Sequence, residues 1–81
     1  MKTSEEIIKE IDAVIEEIRQ KRCNSYHGFL EYMHLLHSAK KNGISTNRQE
    51  IKTIPASEEI IKLLLTLRSQ CHAFHAVAKA G

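Results

Sequence analysis

The chain has 81 residues, of which 42% are hydrophobic and 27% charged, with one proline and three glycines. A chain this short lies near the lower size limit for a single hydrophobic core, so we expect one domain over residues 1–81. The composition excludes disordered and fibrous classes and supplies too few turn formers for an all-β fold. No wholly apolar run exceeds three residues, whereas a membrane-spanning helix needs about 18. We therefore expect a soluble, cytoplasmic, all-α protein that does not enter a membrane.

Charge is distributed unevenly along the chain. Residues 1–18 contain two lysines and six acidic residues, a net charge of −4, while residues 19–56 contain seven basic and two acidic residues, a net charge of +5. Such polarity suits either pairing between helices or a basic patch for an anionic partner. The two cysteines, Cys23 and Cys71, are too few for the disulfide framework of small secreted domains, so we expect reduced thiols.

The first helix has a clear start. Thr3 followed by Glu6 is a capping-box pattern, and acidic residues in a first turn complement the helix dipole. Aliphatic residues then recur at spacings of three and four, which predicts an amphipathic helix with a single apolar stripe. The stripe consists of Ile7, Ile8, Ile11, Val14, Ile15 and Ile18.

The end of this first helix has two interpretations. The apolar stripe resumes in phase at Phe29, Met33 and Leu36, which favours one continuous helix over about residues 4–41, ended by basic residues and Gly43. The alternative is a break near Asn24, because residues 19–28 contain no aliphatic residue.

Residues 42–56 form the connection to the last helix. Ser45 to Asn47 could cap a short helical turn through Ile51, while the alternation of Ile51, Thr53 and Ile54 equally suits an extended stretch ending at Pro55. The last helix is predicted over about residues 57–79, opened by Ser57 and two glutamates. Its apolar face includes Ile60, Ile61, Leu64, Leu67, Cys71, Phe74, His75 and Ala78.

These helix lengths predict an oligomer. A continuous helix over residues 4–41 would be about 57 Å long and the last helix about 34 Å, so a simple hairpin leaves apolar surface uncovered. We favour a long helical hairpin that assembles into an oligomeric bundle, and the alternative is a three-helix bundle with the break near Asn24. The predicted oligomer interface comprises Ile7, Ile11, Val14, Ile18, Phe29 and Met33.

Histidines at helical spacing form a candidate ligand site. His27, Glu31 and His34 project from one side of a helix, and Cys71 and His75 form a second pair one turn apart. Imidazole and carboxylate at these spacings can bind one metal ion, and helical bundles use such pairs at metal centres. An alternative function is therefore binding of a metal or an anionic, nucleotide-like molecule at a subunit interface. The residues proposed for it are His27, Glu31, His34, His72 and His75.

Basic residues suggest a third function, which is nucleic-acid binding through residues 40–52. Lysine and arginine contacts to phosphates supply affinity without sequence readout. The candidate contacts form two clusters along the chain, Arg19, Lys21, Arg22, Lys40, Lys41, Arg48 and Lys52.

The leading functional prediction follows from what the sequence offers. A short helical chain has few loops from which to build a deep substrate pocket. We predict a non-enzymatic regulator, adaptor or inhibitor that acts by protein–protein interaction as a homo-oligomer on a larger protein partner. No catalytic residue and no cofactor is assigned.

Overall fold

The computed structural model describes residues 2–46 and 51–80, in which three helices pack as a bundle. They are α1 (Ser4–Arg19), α2 (Ser25–Lys41) and α3 (Ser57–Ala80). The all-α class is confirmed, as is the three-helix alternative with a break near Asn24. The continuous helix favoured from the sequence is wrong, because the chain leaves its helix after Arg19. The molecule extends 39 Å along its longest axis. A continuous helix over residues 4–41 would be about 57 Å long.

The break begins with a complete cap at the end of α1. The Lys21 N–H donates to the Ile18 carbonyl at 3.1 Å, and the Arg22 N–H donates to the Glu17 carbonyl at 2.9 Å. These two hydrogen bonds define a Schellman motif. Lys21 takes a left-handed φ of 57°, a conformation that glycine adopts at much lower cost.

A side chain starts the next helix. The Oδ1 atom of Asn24 accepts a hydrogen bond from the His27 N–H at 2.8 Å, which is the N-cap interaction asparagine makes well. At the other end of α1, Thr3 caps in the same manner by accepting from the Glu6 N–H at 3.2 Å. Residues that are mediocre inside a helix therefore serve as its boundaries here.

The break also resets the helical phase. In α2 the buried residues are Gly28, Tyr32, Leu35 and Ala39, and not the stripe that continues from α1. Met33 is 43% exposed. The prediction that the stripe of α1 continues through α2 is wrong, because the angular positions of residues follow from one another only along an unbroken helix.

Gly28 allows α1 and α2 to approach closely. A Cβ atom at this position would lie 3.1 Å from Ile18 Cδ1 and 3.8 Å from Ile60 Cγ2. A side chain here would force the Ile18 side chain to shift, whereas its contact with Ile60 would be at an ordinary packing distance.

The end of α2 is as the sequence predicts. Gly43 has a φ of 81°, its N–H donates to the Lys40 carbonyl, and the Ile44 N–H donates to the Ala39 carbonyl at 3.0 Å. Ile44 and Ala39 are both buried, which supplies the apolar contact of a Schellman motif.

Contacts between helices fix their directions. Asp12 of α1 pairs with Arg68 of α3 at 2.7 Å, and Glu5 lies 3.3 Å from His75, so α1 and α3 are antiparallel. Gly28 lies beside Ile60, so α2 and α3 begin at the same end of the bundle. The end of α2 and the start of α3 consequently lie at opposite ends of the bundle.

Part of this connection lies outside the described residues. Residues 44–46 and 51–56 are neither helical nor extended in a strand. The short helical turn considered between Ser45 and Ile51 falls partly on residues 47–50, as does the candidate contact Arg48. Ile51 is partly buried against the core.

The core closes within one chain. Ile7, Ile11, Val14 and Ile18 are at most 6% exposed and pack with buried residues of α2 and α3. Their assignment to an oligomer interface is therefore wrong, because α3 and the reset α2 cover them. The other buried members are Ile15, Tyr32, Leu35, Ala39, Ile44, Ile60, Leu64, Leu67 and Cys71.

None of the helices, over the residues described, combines the length and apolar character needed to cross a membrane.

Candidate interaction surface on the second helix

α2 carries apolar side chains on two opposite faces. Tyr26, Leu30 and Met33 are 56%, 44% and 43% exposed, and His37 follows them at the same helical position. At 100° per residue these four lie within an arc of about 60°, centred about 160° from the buried face. We call these four residues the outer face of α2.

Two further apolar residues widen this surface. Phe29 and Leu36 are partly buried against the core and border the outer face on one side. The rings of Phe29 and Tyr32 pack with centroids 6.5 Å apart, which fixes the position of Phe29. The apolar surface therefore continues from the core around one flank of α2 to its exposed side.

Other exposed apolar residues do not form a comparable stripe. Ile54, Leu65 and Val77 are the remaining large hydrophobic side chains that are clearly exposed in the described chain, and each belongs to a different turn or segment. Single exposed apolar residues are ordinary in proteins, whereas a contiguous patch marks an interaction surface.

Charges lie beside the outer face and at its ends. Glu31 is the single acidic residue of α2, and its carboxylate lies 3.9 Å from His27 Nε2. Lys40 and Lys41 occupy the last turn, where they complement the negative end of the helix dipole. The middle of the outer face carries no charged residue, as in the centre of protein interfaces.

The predicted ligand set is divided between two helices. His27, Glu31 and His34 lie along α2, whereas His72 is exposed on α3 and His75 contacts the first turn of α1. The structure brings together His27 with Glu31, but it does not join them to His75. Within the described ranges, no three His, Cys, Asp or Glu side chains are grouped so as to hold a metal ion.

His75 has partners on both ring nitrogens. Ser4 Oγ lies 3.4 Å from Nδ1, and Glu5 Oε1 lies 3.3 Å from Nε2. The same three types of group make up a nucleophilic triad in some enzymes. Because Ser4 is buried at 9% exposure, we assign these contacts a structural role, which is to fasten α3 to the start of α1.

The basic residues form separate groups. Arg19, Lys21 and Arg22 lie at the end of α1, whereas Lys40 and Lys41 lie at the opposite end of α2. A helix of 17 residues places these groups about 25 Å apart. Lys52 is exposed in the connection.

One cleft brings together residues from two of the predicted sets, the candidate ligand His34 and the basic residue Lys41. It lies between the start of α1 and the last turns of α2, and it is lined by Lys2, His34, His37, Ser38 and Lys41. The side-chain amide of Asn42 donates to the Lys2 carbonyl at 2.7 Å and to the Ser38 carbonyl at 2.9 Å, which ties the two walls together.

Both cysteines are free thiols with raised pKa values. Burial raises the pKa of Cys71, which is fully buried in the core. Burial, followed by the carboxylates of Glu17 and Glu31, raises the pKa of Cys23. Both are therefore held as thiols, the less reactive form, at neutral pH.

Some residues of the site were missed from the sequence. Tyr26, Leu30 and His37 were not assigned to a surface, although their spacing with Met33 is regular. This spacing indicates an exposed apolar face only if α2 is a separate helix, whereas a continuous helix assigns Met33 to the stripe of α1. Lys2 and Ser38 carried no sequence signal, because only the packing of α1 against α2 brings them together.

Comparison of the chain with family models, with curated proteins and with solved structures finds no match.

Proposed function

We propose that this protein is a small non-enzymatic regulator or adaptor that binds other polypeptide chains through the outer face of α2. The observation that carries the proposal is the second apolar face of α2, opposite a face that already fills the core. An amphipathic helix needs one apolar face to fold, so a second one is unexplained by folding. Exposed tyrosine and methionine are typical of protein interfaces.

A second copy of the chain is the occupant that the surface fits. The residues of the outer face are separated by four, three and four positions, a pattern that reads identically in both directions. With a two-fold axis between residues 31 and 32, Leu30 would meet Met33 of the other chain and Tyr26 would meet His37. A closed dimer needs this type of self-complementary surface.

Neighbouring features support the antiparallel arrangement. Phe29 and Leu36 border the same side of the outer face, and the two-fold axis would bring each to within about 3 Å, measured along the helix, of the level of the other. Antiparallel helices also place opposite dipole ends together. One helix face covers less than the ~800 Å² per partner of a standard interface, so we expect a reversible dimer of modest affinity. The oligomer predicted from the sequence stays a prediction, and the interface proposed for it keeps Phe29 and Met33 but not the buried residues of α1.

Disulfide trapping tests both the pairing and its direction. In a Cys23→Ser background, we expect Leu30→Cys mixed with Met33→Cys to form linked dimers faster than either variant alone. Tyr26→Cys with His37→Cys should behave likewise, because only residues whose Cα atoms come within about 7 Å can link. Faster linking of each variant to itself would contradict the antiparallel register. Rates no faster than those of the exposed control Ala13→Cys would contradict self-association.

A larger protein partner is tested with a photo-crosslinking amino acid. Placed at Leu30, it should give covalent adducts with polypeptides in cells that express the protein. Placed at Ala13, on the exposed side of α1, it should not. Equal yields at the two positions would contradict the proposal. Adducts with twice the chain mass would identify self-pairing, and heavier adducts would identify another protein.

A further inference from the structure

The geometry points to a second binding site, and we propose that the cleft between the start of α1 and the end of α2 binds a phosphate group. It is lined by Lys2, His34, His37, Ser38 and Lys41. Two ammonium groups, two imidazoles and a hydroxyl can all donate hydrogen bonds, and phosphate offers acceptor oxygens in several directions. The site overlaps the outer face of α2 at His37, and its other four lining residues lie outside that face.

The walls of the cleft are held in place. Asn42 bridges the Lys2 and Ser38 carbonyls through one side-chain amide, at 2.7 and 2.9 Å. Gly43 and Ile44 complete the cap of α2 at the same point. The backbone that carries the donors of α2 is therefore fixed relative to the segment before α1, although the donor side chains themselves still lose freedom when a ligand binds.

Three acidic residues lie near this end of the bundle, and one of them, Glu10, has a lysine as its partner. Glu5 contacts His75 at 3.3 Å, Glu6 accepts from the Thr3 hydroxyl, and Glu10 lies 2.9 Å from Lys2 Nζ. Glu10 offsets part of the Lys2 charge. Lys41, His34 and His37 form no ion pair or side-chain hydrogen bond with another described residue.

Helix dipoles do not decide the charge of the cleft. The negative end of α2 lies there, but the carbonyls of Ser38, Ala39 and Lys40 accept hydrogen bonds from the cap. The positive end of α1 begins beside Lys2. Each end is equivalent to about half a charge of opposite sign, so the two dipoles largely offset each other, and Lys2 and Lys41 are the cations that line the cleft.

Titration of the full chain with inorganic phosphate, followed by NMR of the histidine ring protons, tests the site. We expect saturable shifts of His34 and His37, and affinity about tenfold weaker in Lys41→Glu, since one attractive charge becomes repulsive. Lys9→Glu makes the same charge change on an exposed part of α1 and should bind as the wild type does. Equal weakening in both variants, or shifts that do not saturate, would overturn the proposal.

Two ligands separate the possible sources of the phosphate group. Adenosine monophosphate should compete with inorganic phosphate at the same histidines, whereas adenosine should not. Tighter binding of the nucleotide would identify an organic phosphate as the ligand, and equal binding would identify the free ion. If adenosine shifts His34 and His37 as strongly as the monophosphate does, then the cleft does not recognise phosphate and the proposal fails.

Discussion

α1 and α2 are similar in length but differ in how they use their apolar residues. In α1 five of the six aliphatic residues of the stripe are buried inside the chain and the sixth, Ile8, is partly buried against the core, while the outward side is strongly acidic. In α2 the core takes Gly28, Tyr32, Leu35 and Ala39, while Tyr26, Leu30 and Met33 face solvent. Folding therefore accounts for all of the main stripe of α1 and for only half of the apolar content of α2. We assign the function to the exposed apolar residues of α2, which folding does not explain.

Aspartate substitutions should show the largest difference between the two helices. Ile11→Asp buries a carboxylate in a position that is 0% exposed, so we expect a loss of at least about 3–5 kcal/mol of unfolding free energy. Leu30→Asp makes a similar change on the outer face and should alter stability by about 0.5 kcal/mol or less. Denaturant unfolding of both variants at low protein concentration measures the contrast. A strongly destabilised Leu30→Asp would mean that Leu30 belongs to the core.

The contact between α1 and α2 can be tested at Gly28. A valine here would place its Cβ 3.1 Å from Ile18 and add two methyl groups, so Gly28→Val should cost about 1–3 kcal/mol. Shortening Ile18 in the double variant Gly28→Val, Ile18→Val should recover part of this loss. Thermal unfolding measures the coupling. If the two substitutions simply add, the helices do not meet at this point.

The C-terminal caps of α1 and α2 differ in which residue type takes the left-handed conformation. α1 ends on Lys21 with a φ of 57°, and α2 ends on Gly43 with a φ of 81°. Lys21→Gly relieves the left-handed strain but gives the unfolded chain more freedom, so we expect a gain of about 0.5–1 kcal/mol. Gly43→Ala should lose about 1 kcal/mol. Denaturant unfolding measures both effects. Midpoints that shift in the same direction for both substitutions would contradict the assigned caps.

The smallest expected effect is on alkaline stability. Burial raises the pKa of Cys71 above its unfolded value, so the protonated thiol stabilises the fold below the ordinary cysteine pKa of about 8.5. This contribution is lost as the pH rises through the raised pKa. Cys71→Ala should therefore flatten the fall in melting temperature between about pH 8.5 and 10. An unchanged slope would assign the fall to other groups, such as Tyr32, whose pKa burial also raises.

Local chemistry made much of the fold predictable. The cap at Thr3 and the Gly43 motif follow from the residues near each helix end, and the stripe of α1 follows from spacing. The break at residues 20–24 was harder, because it depends on Lys21 accepting a strained conformation and on Gly28 fitting against Ile18. Neither is a local preference.

The candidate surfaces were only partly predictable for the same reason. Met33 was assigned to an interface and is exposed, but Ile7 and Ile11 were assigned with it and are buried. Whether an apolar stripe meets its own chain or another depends on the direction of the next helix. His34 and Lys41 were identified as candidate ligands, but only the fold places Lys2 beside them.

Sedimentation velocity over a wide range of concentration tests the central claim most directly. The wild type should shift from monomer to dimer as its concentration rises, and the variant with Leu30→Asp and Met33→Asp should remain a folded monomer throughout. Matched aspartates at exposed positions of α1, such as Ala13→Asp, should leave the dimer intact. A wild type that stays monomeric at millimolar concentration, or a double variant that dimerises as the wild type does, would contradict the assignment of the outer face of α2 as the interface.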